Sequence, residues 1–165
     1  MKKHIQELKA TKWLTSCSDL SPGSPSGVYR MTLTPGRSDD VYCDMDTAGG
    51  PWTVIQNRQD GTVDFYRNWT EYQTGFGDLD GEFWAGLDII HLLTLSGSIL
   101  RINLMSWKND VKYAQYRDFR VGDASSKYRL SVSGFSGNVS GKFFVCLLRV
   151  YLIKTFRKHN YQVIL

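Results

Sequence analysis

Polar and apolar positions in this chain mostly follow the short periods of β-strands. Residues 52–59 alternate and carry a β-branched run in their middle, which predicts a central strand. Asp60-Gly61 follows at once and predicts a tight turn before the 63–66 segment. Further strands are predicted over residues 28–33, 41–46, 99–107, 111–121 and 128–135.

Two short stretches carry helix signals instead. Asn68 begins the first, and Glu71 follows three residues later, so the pair predicts a capping box. The second helix is predicted over residues 87–95, where Asp88 lies near the positive end of the helix dipole. Many strands with two short helices predict an α+β fold around a mainly antiparallel sheet.

Large aromatic side chains are concentrated between residues 42 and 84. They indicate a buried core, because each ring removes a large apolar area from water when it is buried. The glycines between them predict constrained turns. The nine rings belong to Tyr42, Trp52, Phe65, Tyr66, Trp69, Tyr72, Phe76, Phe83 and Trp84.

Composition and charge narrow the functional classes. The chain has 165 residues and 42% hydrophobic residues, which suits a single globular domain. Its net charge of +4 does not indicate nucleic-acid binding. Residues 1–138 hold 15 basic and 16 acidic side chains, so the excess of positive charge lies in residues 139–165. We expect no secretion signal, because residues 1–16 lack an apolar run, and no membrane span, because the apolar run 143–153 is too short.

Five sequence words occur in order between residues 16 and 138. They are CSDL at 17–20, SGVYRM at 26–31, VYCDMDTAGGPWTVIQNRQDGTVDFYRNW at 41–69, YQTGFGDLDGEFWAGLDIIHLLT at 72–94 and YRLSVSGFSGN at 128–138. In this order and spacing they resemble the fibrinogen C-terminal domain family of fibrinogen chains, ficolins, angiopoietins and tenascins. The resemblance stops after Asn138. We therefore predict a lead-in over residues 1–15, a partial domain over 16–138 and a non-homologous tail over 139–165.

The resemblance implies a small N-terminal subdomain with a disulfide between Cys17 and Cys43, followed by the central sheet. Such a bridge would stabilise the fold by roughly 3–4 kcal/mol in the chain-entropy model. The residues alone leave two free buried thiols as the alternative. Cys146 is then left over.

The resemblance also implies a non-catalytic, extracellular recognition module. Its intact parent would be a secreted, lectin-like glycoprotein and a candidate homo-oligomer. It would bind glycans as ficolin-like members do or cell-surface receptors as angiopoietin-like members do. The family's calcium and ligand site, and the last strand of its sheet, would lie beyond Asn138. Residues 139–165 hold no carboxylate side chain, and Ca²⁺ requires several oxygen ligands. We therefore expect no calcium, no other cofactor, no ligand-binding residues and an unfinished sheet.

Two other functions have to be weighed. A short regulatory isoform could pair with intact homologues by adding a strand to its unfinished sheet. A small hydrolase could use Asp80 and Glu82 as paired carboxylates, with His91 as a base, although no catalytic motif surrounds them. Asp78 does not begin a calcium loop of the EF-hand type, because the twelfth position from it is Ile89.

Two sequons for N-glycosylation complete the candidate sites. Asn68-Trp69-Thr70 makes Asn68 a possible glycosylation site. Asn138-Val139-Ser140 lies where the resemblance ends, and we attach no prediction to it.

Overall fold

The computed structural model of the chain describes residues 13–106, 110–139 and 160–165. These residues form a nine-stranded sheet and two α-helices, as the α+β prediction requires. The elements are a 3-10 helix (Cys17–Asp19), β1 (Gly27–Thr34), β2 (Arg37–Asp44), β3 (Trp52–Arg58), α1 (Trp69–Thr74), β4 (Phe76–Gly77), β5 (Phe83–Trp84), α2 (Leu87–Leu93), β6 (Ser98–Met105), β7 (Val111–Val121), β8 (Leu130–Gly137) and β9 (Asn160–Ile164).

The main sheet has the strand order β1-β2-β3-β9-β6-β7-β8, and every neighbouring pair is antiparallel. The two-residue strands β4 and β5 form a small side ladder, in which β5 also pairs with β3. The predicted antiparallel sheet with two short helices is confirmed.

Strand β9 corrects one expectation. It comes from the part of the chain that we expected to be unrelated to the fold, yet it lies in the middle of the sheet. Its residues pair with β3 on one side and with β6 on the other, and Val163 and Ile164 are buried. The prediction of an unfinished sheet is therefore wrong, and β1 and β8 are the outer strands of the described sheet. The 143–153 segment lies outside the described residues.

The two faces of the sheet differ in polarity. One face carries the larger apolar core, which includes Ile55, Trp84, Ile90, Leu100 and Val163. Helices α1 and α2 contribute to this core through Tyr72, Leu87 and Ile90. The opposite face of β6 shows Ile99, Arg101, Asn103 and Met105, which are two apolar and two polar residues.

The N-terminal subdomain is held together as the resemblance implied. A disulfide joins Cys17, in the 3-10 helix, to Cys43 in β2. Both sulfur-bearing residues are buried in a second small core with Met31 and Val41. The alternative of two free thiols is excluded.

Glycines fix the path of the chain between α1 and α2. Gly77 has a φ of 93°, and a Cβ there would lie 2.2 Å from the carbonyl oxygen of Glu82. Gly86 has a φ of 95°, and its Cβ would lie 2.7 Å from the carbonyl carbon of Thr74. These close backbone approaches allow no side chain, which explains the glycines of the TGFG and WAG words.

Some element boundaries differ from the sequence prediction. Strand β8 begins at Leu130 instead of residue 128, because Lys127 and Tyr128 both have positive φ values, of 56° and 52°, in the turn after β7. Strand β2 covers residues 37–44 where 41–46 was predicted. The 63–66 segment forms neither helix nor strand.

Candidate binding groove

A row of three amide side chains crosses the sheet face opposite the larger core. Asn57 of β3 lies opposite Gln162 of β9, which lies opposite Asn103 of β6, which in turn lies opposite Tyr113 of β7. Residues directly opposite in neighbouring strands point to the same face, so these four side chains form one continuous row.

Arg101 lies one row away on the same face. Its Nε donates to Oδ1 of Asn103 at 2.8 Å, and its guanidinium carbon lies 4.2 Å from the centre of the Tyr113 ring. A weaker contact of 3.4 Å joins its Nη1 to Oε1 of Gln115. No described carboxylate forms an ion pair with Arg101. Its positive charge is therefore held in a fixed place by neutral neighbours.

Asn57, Arg101, Asn103 and Gln162 line an open groove of about 470 Å³, which we call the polar groove after these four side chains. Most of the exposed lining surface is apolar, and Met105 and Val111 contribute to it. No acidic residue is found among its described lining residues. The full lining is Thr47, Ala48, Asn57, Arg58, Gln59, Arg101, Asn103, Leu104, Met105, Val111, Tyr161 and Gln162.

Glu82, a candidate catalytic carboxylate, has a structural role. Its Oε1 accepts hydrogen bonds from the backbone N–H groups of Gln59, Asp60 and Gly61 at 2.8–3.1 Å. Its Oε2 accepts from the N–H of Val63 and from Nη1 of Arg58, both at 3.0 Å. Burial by itself raises the pKa of Glu82, but the backbone donors outweigh it and hold that pKa below its ordinary value. All of these hydrogen bonds of Glu82 stabilise the turn that follows β3.

The other candidate residues of a hydrolase or metal site are not brought together. Asp78 accepts the N–H of Asp80 within an exposed turn. His91 is bonded through Nδ1 to the carbonyl of Val121 at 2.8 Å. The described residues contain no group of three or more His, Cys, Asp and Glu side chains that could hold a metal ion, so they do not fit calcium. No helix within the described ranges is long and apolar enough to cross a bilayer.

Asn68 lies where the sequence placed it, at the N-cap of α1. Its side chain accepts the N–H of Glu71, and the Glu71 carboxylate accepts the N–H of Asn68, both at 3.0 Å. The predicted capping box is confirmed. The residue is exposed, and its use as a glycosylation site stays a prediction.

The polar groove was missed by the sequence reasoning. One signal was available, since Leu100-Arg101-Ile102-Asn103-Leu104 alternates strictly between apolar and polar residues and predicts a half-buried strand. Strand β9 has a shorter alternation from Asn160 to Val163, but its place between β3 and β6 depends on long-range pairing that the sequence does not reveal.

Comparison with known proteins identifies the fold. A model of the family described as fibrinogen beta and gamma chains, C-terminal globular domain, matches residues 15–164. The chain belongs to the fibrinogen C-terminal domain family. This match includes the residues of β9, while the boundary that we predicted after Asn138 stays a prediction.

Relatives of this fibrinogen C-terminal domain are similar over about three quarters of the chain. Fibrinogen-like protein A of Apostichopus parvimensis is 50% identical over 125 residues, which are 75% of this chain and 44% of the relative. Human angiopoietin-4 is 43% identical over 126 residues, which are 74% of this chain and 25% of that protein. The chain therefore spans less than half the length of either relative.

Solved structures of fibrinogen-like domains have the same fold as this chain. The fibrinogen-like globe domain of human ANGPTL2 superposes with a TM-score of 0.74 and 36% identity, covering 81% of this chain and 63% of the other. Lamprey fibrin D-dimer, in complex with the peptide Gly-His-Arg-Pro-amide, gives a TM-score of 0.70 and 35% identity over 85% of this chain and 47% of the other. Family membership confirms the predicted non-enzymatic recognition module.

Proposed function

We propose that this chain is an extracellular recognition module that binds an acidic segment of a protein partner in the polar groove. The observation that carries this proposal is the guanidinium of Arg101, which has no carboxylate partner among the described residues and lies in a groove whose described lining has no acidic residue. A carboxylate is the complementary ligand, because a planar guanidinium accepts it with charge-assisted hydrogen bonds.

The neighbours of Arg101 support a peptide as the ligand. The amide row offers donors and acceptors along a line across β3, β9 and β6, which suits the repeated polar groups of an extended chain. Met105 and Val111 offer apolar surface beside it. These contacts favour a protein partner over a sugar, whose recognition by this chain has no comparable support.

The extracellular location has support of its own. The disulfide between Cys17 and Cys43 is typical of proteins that mature in an oxidising compartment. Angiopoietins and fibrinogen, to which the chain is similar, are secreted. A calcium-dependent site is not part of the proposal, since the described carboxylates do not converge.

Binding of labelled peptides to the purified full chain tests the proposal. We expect an oligoglutamate peptide to bind more tightly than oligolysine or glycine–serine peptides of equal length, with or without EDTA. The binding should weaken as salt is raised, because part of it is electrostatic. Arg101→Ala should weaken it about tenfold, which corresponds to one lost charge-assisted contact.

Lys112→Ala is the matched control for charge. Lys112 lies on β7 between Val111 and Tyr113, points to the opposite side of the strand, and is absent from the groove lining. Its loss removes one positive charge and should leave the affinity unchanged. Equal loss of binding in both variants would mean that net charge, and not the groove, attracts the peptide.

A further inference from the structure

Two large aromatic rings flank Asn68 on the protein surface. Tyr66 precedes it by two residues and is 87% exposed, and Trp69 follows it and is 49% exposed. Trp69 has a partial neighbour in Tyr128, with the ring centres 6.1 Å apart. Tyr66 is not placed in any ring contact of the described residues. An exposed ring leaves a large apolar area in water, and nothing in the capping of α1 requires one there.

The amide of Asn68 uses only one of its two polar atoms. Its Oδ1 accepts the N–H of Glu71 and so caps α1. Its Nδ2 makes no hydrogen bond within the described structure, and the residue is exposed. N-glycosylation attaches the sugar to Nδ2 and leaves the carbonyl oxygen free to accept. The cap and a glycan are therefore compatible at this residue.

We propose that Asn68 carries an N-linked glycan and that the rings of Tyr66 and Trp69 contact its first N-acetylglucosamine. In the transfer step, Nδ2 forms a bond to C1 of the sugar. The bond from C1 to the pyrophosphate oxygen of a lipid-linked oligosaccharide breaks, the lipid pyrophosphate leaves, and one amide proton is lost. In the natural setting this inference rests on the extracellular part of the proposed function, because the reaction occurs on the secretory route.

Tyr66 and Trp69 lie close to the sequon along the chain. Asp64 accepts the N–H of Tyr66 at 2.8 Å, and the carbonyl of Phe65 accepts the N–H of Arg67 at 3.0 Å, so the chain turns just before the helix. Both rings are exposed, within two residues of Asn68. The apolar C–H face of a pyranose covers such a ring and removes its area from water.

The first experiment asks whether the glycan is present. The full chain is expressed in mammalian cells behind a cleavable secretion signal, so that the outcome does not depend on its natural compartment. After peptide-N-glycosidase treatment in heavy-oxygen water, peptide mapping should find the isotopic label at residue 68. Thr70→Ala should abolish the label there while it leaves the Asn68 cap intact, and Thr70→Ser should retain it.

Mapping by peptide separates this site from the second sequon, and Ser140→Ala should leave the label at residue 68 unchanged. A secreted, disulfide-bonded chain without label at Asn68 overturns the proposal. That result leaves the peptide assay on the groove unaffected, so failure of the glycan and failure of the proposed function can be told apart.

The second experiment asks whether the rings contact the sugar. Enzymatic removal of the glycan converts Asn68 to aspartate, which still accepts at an N-cap, so the cap does not confuse the comparison. We expect removal to lower the Tm by about 2–4 °C in the parent chain and in Tyr66→Phe. The difference should be clearly smaller in Tyr66→Ala and should vanish in the double variant Tyr66→Ala, Trp69→Ala. An equal loss in all four proteins would overturn the ring contact, as would no loss in any of them.

Discussion

At the scale of single residues, the buried carboxylate of Glu82 organises the turn after β3. It accepts four backbone N–H groups and pairs with Arg58, whose side chain is 10% exposed. We expect Glu82→Gln to lower the free energy of unfolding by about 3–5 kcal/mol, because it leaves the buried Arg58 without its counter-ion. Urea unfolding at neutral pH measures this. Asp40→Asn breaks the exposed pair with Arg30 and should cost no more than about 1 kcal/mol.

The lowered pKa of Glu82 predicts that the free energy of unfolding depends on pH. The folded-state pKa of Glu82 lies below its ordinary value of 4.5, so its contribution to stability is complete above that pH and is lost as the pH falls through the folded-state value. We expect the stability gap between the parent chain and Glu82→Gln to narrow on acidification below about pH 4.5. A gap that stays constant down to the acid limit would contradict this account.

Tyr116 brings an unsatisfied polar group into the core. Its hydroxyl is buried and has no hydrogen-bond partner in the described structure. We expect Tyr116→Phe to leave stability unchanged or to raise it by up to about 1 kcal/mol, since the unsatisfied group disappears. Tyr72→Phe is the matched control, because its hydroxyl donates to the carbonyl of Phe65 at 2.8 Å. That variant should lose about 1 kcal/mol, and the two effects are compared by thermal unfolding.

At the scale of elements, the disulfide ties the 3-10 helix to β2 across a sequence separation of 26. We expect the double variant Cys17→Ala, Cys43→Ala to unfold with a free energy roughly 3–4 kcal/mol lower than the parent. A Cys146→Ala background prevents thiol exchange with the third cysteine. Equal urea midpoints with and without the bridge would show that the small core around Met31 and Val41 holds the subdomain without it.

Elements that depend on residues within their own segment could be predicted from the sequence. Elements that depend on pairing with distant segments could not. The capping box of α1 and the strand β7 depend on residues within their own segments, and both were found. Strand β9 was missed because its polar–apolar alternation, from Asn160 to Val163, is only four residues long and stands in the tail that we expected to be non-homologous. The polar groove shares this limitation, since its amide row exists only once β3, β9 and β6 are in register.

At the scale of the whole molecule, β9 joins two halves of one sheet. Ile164 is fully buried in it, in a cluster with Trp52, Val54 and Phe83. We expect Ile164→Ala to cost about 2–5 kcal/mol, because it opens a cavity between the halves. Ile99→Ala removes the same atoms from a side chain that is 45% exposed and should cost clearly less. Similar losses in the two variants, measured by urea unfolding, would mean that β9 does not hold the halves together.

The position of β9 also sets an order of events during synthesis. Strands β1–β3 and β6–β8 leave the ribosome first, but the described structure shows no direct pairing between β3 and β6. Until residues 160–164 emerge, each half presents an inner strand with unpaired backbone groups, which are the groups that nascent chains join to wrong neighbours. The nascent protein therefore exposes both inner strands until β9 has been made, and a stop before Asn160 would leave both of them unpaired on that side.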